Sequence, residues 1–299
     1  SNTPLWKLMG GTEERSVQIY NTCAGRGYMR TSDQSSKSWG VNCNDLELED
    51  LHAFMTDAGG LAVELLEEGV QAMKIWPFDL FAEKNFGVEI SKDDIELGLK
   101  SIRSIRERVG NEIEIMVELH ALWSPNAALE IMSALKEFNI YWVEDPIYPD
   151  LVDEISILRK NGMPRIAHGE TIASRSRVKQ LVQKNLIDIL TLDLSWCGGI
   201  TEGLKFAEIA RSSGIRIAPH DCTGPIGLTA GAHLSIADKN ALIQETVRAA
   251  YRTWYPFVAS GLPTIASGQL RLSDRPGLGV ALNEVFIEEA MSLGTDALK

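Results

Sequence analysis

Three glutamates, at positions 118, 144 and 170, close three short apolar runs and are separated by two equal intervals of 26 residues. The runs are Ile113 to Val117, Ile140 to Val143 and Arg165 to Ala167, and each leads into a helix-like stretch. The interval therefore measures one strand-plus-helix unit. A carboxylate then stands at the same height on three successive parallel strands. A single glutamate at a strand end can cap a helix or pair with Lys or Arg. Three in one rhythm, converging at the C-terminal mouth of a barrel, supply the oxygen ligands that a hard divalent cation needs, Mg2+ before others.

The alternation extends along most of the chain. Strand-like segments fall at Val17 to Thr22, Ala72 to Trp76, Ile113 to Glu118, Ile140 to Glu144, Arg165 to Glu170, Ile187 to Asp193, Ile215 to His220 and Leu242 to Glu245. With helix-like connections between them they specify an α/β fold, a closed (β/α)8 TIM-type barrel. A capping-box pattern, Ser91 before Asp94, opens one helix, and Gly110 closes it after the basic turn Arg103 to Arg108. Further helices are expected at Asn126 to Glu137, Leu151 to Lys160, Ser174 to Lys184, Thr201 to Ser213 and Ile226 to Ile236. The first helix, Leu46 to Glu68, is interrupted by Gly59-Gly60 and should bend there. The expected organisation is a linker over residues 1–14, a barrel over 15–256, and a Gly/Pro-rich tail over 257–299 that packs across the mouth or on a further domain.

Composition narrows the function. A net charge of −12 on 299 residues opposes binding to phosphate backbones, which argues against nucleic acid, but leaves room for a small anionic substrate in a metal-neutralised pocket. No run approaches the roughly 18 apolar residues of a membrane span. Cysteines 23, 43, 197 and 222 form no C-x-x-C pair, so they read as reduced thiols of a cytoplasmic protein. No charged segment followed by an apolar core opens the chain.

Other strands also end on polar residues: Lys74 on the second, Asp193 on the sixth, His220 on the seventh and Glu245 on the eighth. Barrel chemistry gathers at such ends. These residues lie in Met73-Lys74-Ile75, Val117-Glu118-Leu119-His120, Val143-Glu144-Asp145-Pro146, His168-Gly169-Glu170, Asp193 followed by Gly198-Gly199-Ile200-Thr201, Ala218-Pro219-His220 and Gln244-Glu245. In order and spacing the set resembles the barrel domain of the enolase superfamily, in its mandelate racemase and muconate lactonizing branch. The resemblance implies that Glu118, Glu144 and Glu170 hold Mg2+. The ion would bind a substrate carboxylate and stabilise the enediolate formed when the adjacent carbon loses its proton. His220 is then the expected base, with Asp193 fixing its tautomer. Lys74 is a second acid or base, or a cation near the intermediate. Glu245 is expected by the carboxylate oxygen, as a protonated carboxyl donating a hydrogen bond. Relatives often form dimers or octamers, which implies a homo-oligomer.

The chain departs from the family pattern at four places. Ala72 stands where a first lysine of K-x-K is common, which weakens a two-base racemase. Glu118 replaces a more usual Asp. His120 stands where many members carry Asn; two residues beyond a metal ligand, it should point to the same side of the strand and could protonate a departing hydroxyl. Acid-sugar dehydratases of the family, such as galactonate dehydratase, place a histidine similarly. Finally, Pro4 to Gly11 resembles the link after the family's N-terminal α+β capping domain, so this chain is expected to lack that domain as a fragment of a longer polypeptide, the alternative being a barrel with an open mouth. The expected reaction is dehydration of a sugar acid. The alternatives are a cycloisomerase of a lactone or anhydro-sugar acid, an epimerase, and a non-catalytic barrel. Trp76, Trp123 and Trp196 are candidates for the pocket wall, and His168 for an interior residue below Glu170.

Overall fold

The computed structural model describes residues 2–13, 15–25, 48–159 and 162–292. Cys43, Leu46 and Lys160 lie outside the described residues. Eight parallel strands close a barrel: β1 (Val17–Thr22), β2 (Ala72–Ile75), β3 (Glu114–Glu118), β4 (Trp142–Glu144), β5 (Ile166–His168), β6 (Ile189–Leu190), β7 (Arg216–Ile217) and β8 (Gln244–Thr246). Neighbours pair in chain order from β1 to β7. β8 returns to β1, with Tyr20 opposite Glu245, and a bridge from Ile217 to Ala241 joins the last seam. The (β/α)8 barrel read from the sequence is therefore the fold.

A short helix α1 (Leu5–Leu8) precedes the barrel. The outer layer follows as α2 (Asp50–Glu67), α3 (Asp79–Ala82), α4 (Lys92–Val109), α5 (Pro125–Leu135), α6 (Val152–Leu158), α7 (Arg175–Gln183), α8 (Ile200–Ser212) and α9 (Pro225–Ala237). The punctuation works as expected at α4, where the Ser91 hydroxyl accepts from the Asp94 amide and Gly110, at φ 57°, stops the helix. α5 uses the same device, with Ser124 accepting from Ala127 ahead of Pro125.

α2 bends at Asp57 (φ −145°, ψ 66°) rather than at Gly59-Gly60. Asp57 acts as an internal cap, its Oδ1 accepting from the Gly60 amide at 3.0 Å. The glycines have another purpose. A Cβ on Gly59 would lie 2.7 Å from the Ser104 carbonyl oxygen, so a bare backbone lets α2 approach α4 closely.

The barrel interior explains how the site is raised. One apolar side chain per strand fills the bore: Tyr20, Ala72, Met116, Trp142, Ala167, Ile189, Ala218 and Ile243. Side chains alternate along a strand, so two residues further on the same inward face reappears. There the chain carries Thr22, Lys74, Glu118, Glu144, Gly169, Thr191, His220 and Glu245. A predominantly polar layer therefore rests on an apolar plug. A second core, between sheet and helices, holds residues such as Phe54, Ile102, Ile131 and Phe206.

After β8 come α10 (Arg248–Arg252), α11 (Tyr255–Val258), β9 (Ala259–Ser260), β10 (Thr264–Ala266), β11 (Gln269–Arg271), β12 (Ala281–Leu282) and α12 (Glu284–Ser292). The middle of this tail does not cross the mouth. β11 pairs antiparallel with the first residues of β1, Val17 with Leu270, at the end of the barrel away from the glutamates. Gly277 joins Pro4 there, and the Leu278 carbonyl meets His233. Pairing available at the start of β1 outweighs the absence of a regular sequence pattern. No helix among the described residues is long and apolar enough to cross a membrane.

Candidate active site

Glu118 and Glu144 end adjacent strands in register and are fully buried. Glu170 arrives differently, one residue beyond the inward-facing position, after Gly169 at φ 150°. A Cβ on Gly169 would lie 3.0 Å from both Leu190 Cδ1 and the Thr191 amide nitrogen, so the turn presenting Glu170 needs glycine. Ligand oxygens of the three glutamates all lie within 4.8 Å of one another. One hard ion with oxygens at about 2.0–2.6 Å spans that separation. Glu144 Oε1 is buried with no hydrogen-bond partner. Burial and the charges of Glu118, Glu245 and Glu170 push the Glu144 carboxyl well above the usual range, against the pull of Lys74. A buried, mutually repelling set of carboxylates with an orphaned oxygen fits a divalent cation.

Lys74 is drawn into this set. Its ammonium lies 3.1 Å from Glu118, 3.0 Å from Glu144 and 3.0 Å from Glu245. Burial disfavours its charge, but these carboxylates raise its pKa well above the ordinary value. Burial likewise opposes the charge on Glu118. Lys74, His120 and the His120 amide overcome it and hold that carboxyl down at about 2.

His220 and Asp193 form the expected pair, with Nδ1 2.8 Å from Oδ2. Asp193 is itself fixed by the amides of Ser195 and Trp196 and by the Thr223 hydroxyl at 3.1 Å. The other ring nitrogen of His220, Nε2, faces Glu170 at 3.4 Å. Burial lowers the basicity of His220, but Glu170, Glu245 and the Asp193 bond more than reverse this. Glu245 differs from the expected protonated donor. It is surrounded by donors: Lys74, the Thr22 hydroxyl and the Asp221 amide at 3.0 Å. They and His220 outweigh burial and hold its carboxyl below the usual range, so Glu245 is an acceptor.

His120 is placed by a turn and not by strand alternation. β3 ends at Glu118, and His120 and Ala121 adopt left-handed backbone, φ 47° and 54°. The turn is stitched to the neighbouring strand, Leu119 donating to Glu144 O and Ala121 to Asp145 O. Its imidazole Nδ1 meets Asp79 Oδ2 at 2.5 Å. Burial disfavours the imidazolium, yet Glu118 and Asp79 raise His120 to about 10. Asp79 does not stand out in the sequence pattern. Its one signal is an acidic residue after the apolar stretch Trp76-Pro77-Phe78, just past a strand that carries a site lysine.

His168 is interior, fully buried, with Nδ1 2.5 Å from Asp145. Trp76 is buried and packs edge-on against the His120 ring; Trp123 is buried, whereas Trp196 is 56% exposed. Cys23 and Cys197 are buried free thiols, and Cys222 is an exposed one. The structure thus brings Lys74, Glu118, Glu144, Glu170, Asp193, His220 and Glu245 into one connected cluster, with His120 joined to it through Glu118.

Comparison with known proteins agrees with this architecture. The chain is 27% identical over 294 residues to the D-gluconate/D-galactonate dehydratase of Picrophilus torridus, covering 98% of this chain and 68% of that protein. It is 31% identical to a D-galactonate dehydratase family member of Musicola paradisiaca, covering 96% and 69% of the two chains. Among solved structures, an enolase protein from the environmental genome shotgun sequencing of the Sargasso Sea superposes with a TM-score of 0.82 at 38% identity, over 97% of this chain and 70% of that one. A mandelate racemase subgroup enolase from Agrobacterium tumefaciens gives 0.81 at 34%, over 96% and 69%. The chain spans about two thirds of the length of these relatives. Residues 57–285 match the family described as Enolase C-terminal domain-like, and the chain belongs to that family.

Proposed function

We propose that this barrel dehydrates a sugar acid, an aldonate or aldarate, by removing the proton beside the carboxylate and expelling the hydroxyl on the next carbon. One observation carries the reading: two histidines, each oriented by a buried aspartate, stand beside one cluster of three metal-competent carboxylates. Relatives named as gluconate, galactonate and arabinonate dehydratases support an aldonate.

Glu118, Glu144 and Glu170 would hold the cation, Mg2+ by their all-oxygen chemistry. When bound, it would neutralise charge developing on the substrate carboxylate and offset the field of Glu170 on His220. His220 Nε2 takes the α-proton, with Asp193 holding the opposite nitrogen protonated. His120, kept cationic by Asp79 and Glu118, gives its proton to the leaving hydroxyl, which departs as water. Lys74 and the acceptor Glu245 fix the polar floor on which the acid lies. The remaining enol ketonises to a 2-keto-3-deoxy acid. Positioned proton transfer of this kind contributes about 10²–10⁴-fold per group.

The test is proton NMR in D2O with Mg2+ and a panel of aldonates and aldarates. A 2-keto-3-deoxy product supports the proposal. Exchange of the α-proton without new product indicates an epimerase, ring opening or closure a cycloisomerase, and absence of both exchange and Mg2+ binding a non-catalytic barrel.

A further inference from the structure

A second group of metal-competent side chains shares the mouth. His220, Cys222 and Glu245 each offer one ligand atom, and these atoms lie within 4.8 Å of one another. They share no residue with the glutamate triplet, and their chemistry differs from it: one imidazole nitrogen, one thiol sulfur and one carboxylate oxygen.

We propose that His220, Cys222 and Glu245 form a site for a borderline-soft cation such as Zn2+, whose occupation withdraws His220 Nε2 from proton transfer. The geometry is close to what zinc requires. Nε2 of His220 is 4.0 Å from Glu245 Oε2. Zinc with nitrogen and oxygen ligands at about 2.0–2.2 Å in a tetrahedron separates those donors by roughly 3.3–3.6 Å, so the pair must draw together by about half an ångström. Two of the ligands are already aimed. His220 Nδ1 is engaged by Asp193, so Nε2, which lies 3.4 Å from Glu170 and 4.0 Å from Glu245, is the nitrogen for the metal in the carboxylate–histidine–metal arrangement typical of zinc. Glu245 Oε2 is steadied by the Asp221 amide. Cys222 is exposed as a residue, but its thiol turns inward against His220 and burial raises it to about 11, so the thiol proton leaves only as the ion binds, with water as the fourth ligand. Selectivity follows from donor type. Imidazole and thiolate favour Zn2+ or Co2+ over Mg2+, whereas the glutamate triplet favours hard cations.

Binding at this site is independent of the proposed dehydration; only its inhibitory consequence rests on that reading. The experiment is titration with Co2+, as a visible surrogate for Zn2+, in saturating Mg2+. The expected result is a thiolate-to-cobalt charge-transfer band that Zn2+ abolishes, that survives in Glu144→Gln and that is missing in Cys222→Ser. By calorimetry, Zn2+ should bind Cys222→Ser at least ~10-fold more weakly. On the unaltered protein, Zn2+ should protect Cys222 from alkylation, read by mass spectrometry. The proposal is overturned by any of three results. They are absence of the thiolate band in the unaltered protein, Zn2+ affinity within twofold in Cys222→Ser, and loss of Zn2+ binding in Glu144→Gln.

Discussion

Nδ1 of His120 lies 2.5 Å from Oδ2 of Asp79, a contact between the turn after β3 and the first residue of α3. Of the two carboxylates that keep His120 protonated, Glu118 comes from its own strand and Asp79 from a different strand-end connection. Asp79→Asn preserves shape and removes the charge. Dehydration should fall about 10–100-fold, the usual loss when a carboxylate behind a working histidine is removed. Exchange of the substrate α-proton, which depends on His220, should change much less. Equal losses of both in D2O experiments would show that Asp79 acts on the whole pocket and not through His120.

Glu144 offers a sharper metal test because its burial costs stability when no cation is present. Glu144→Gln should melt at or above the unaltered protein in EDTA. In Mg2+ the order should reverse. A ligand at 100 times its Kd stabilises the native state by about 2.7 kcal/mol, and the variant should lose that increment. Thermal unfolding with and without Mg2+ measures both. An unchanged Mg2+ shift in the variant would remove Glu144 from the ligand set.

Asp221 is fully buried, takes a hydrogen bond from the Tyr255 hydroxyl at 2.9 Å, and is raised to about 8 by burial and by Glu245. The folded chain therefore holds a proton that the unfolded chain releases in the ordinary carboxylate range. Stability from this group is highest in acid and declines as pH rises toward 8, where it levels off. Asp221→Asn is neutral throughout. It should be more stable than the unaltered protein by ~2 kcal/mol or more at pH 9, because each tenfold rise in proton affinity on folding is worth about 1.4 kcal/mol. The difference should shrink toward pH 4. Denaturant titrations across that range decide it.

His233 behaves in the opposite sense. Its Nδ1 accepts the Trp6 amide at 3.0 Å and its Nε2 donates to Leu278 O, so the neutral ring ties α1 and the segment between β11 and β12 to α9. Burial lowers its pKa against the pull of the Leu278 carbonyl. The unfolded chain then binds the extra proton first. The tie is fully present above the ordinary imidazole value near 6.5 and is lost as pH falls below it. Hydrogen exchange at the Trp6 amide, corrected for intrinsic rates, should show less protection at pH 5 than at pH 7.5. Constant protection would mean that α1 is held by other contacts.

Strand ends are legible in the sequence because burial on both faces leaves long apolar runs, and because a barrel repeats at the length of one strand plus one helix. Glu118, Glu144, His220 and Glu245 follow from that rhythm. Asp79 escapes it because it opens the four-residue helix α3 in the connection after β2, too short for a period to operate. His120 emerges from resemblance, but its left-handed turn cannot be read from alternation along a strand. The bend at Asp57 is easily assigned to the neighbouring glycines, because a lone Asp inside a helical pattern reads as surface. Its side chain in fact caps the second half of α2. The docking of β11 against β1 joins segments more than 250 residues apart in sequence, beyond the reach of local pattern.

The plug formed by Tyr20, Trp142, Met116 and their neighbours has a consequence for traffic. Directly below the ring of Lys74 and its carboxylates, the described residues of the plug are hydrocarbon and aromatic apart from the Tyr20 hydroxyl and the Trp142 indole N–H, which donates to Glu144 at 3.0 Å. Among the described residues, the plug sets a largely apolar floor under the cluster, so a counter-charge that arrives with cation or acid meets the rim groups before it meets the bore.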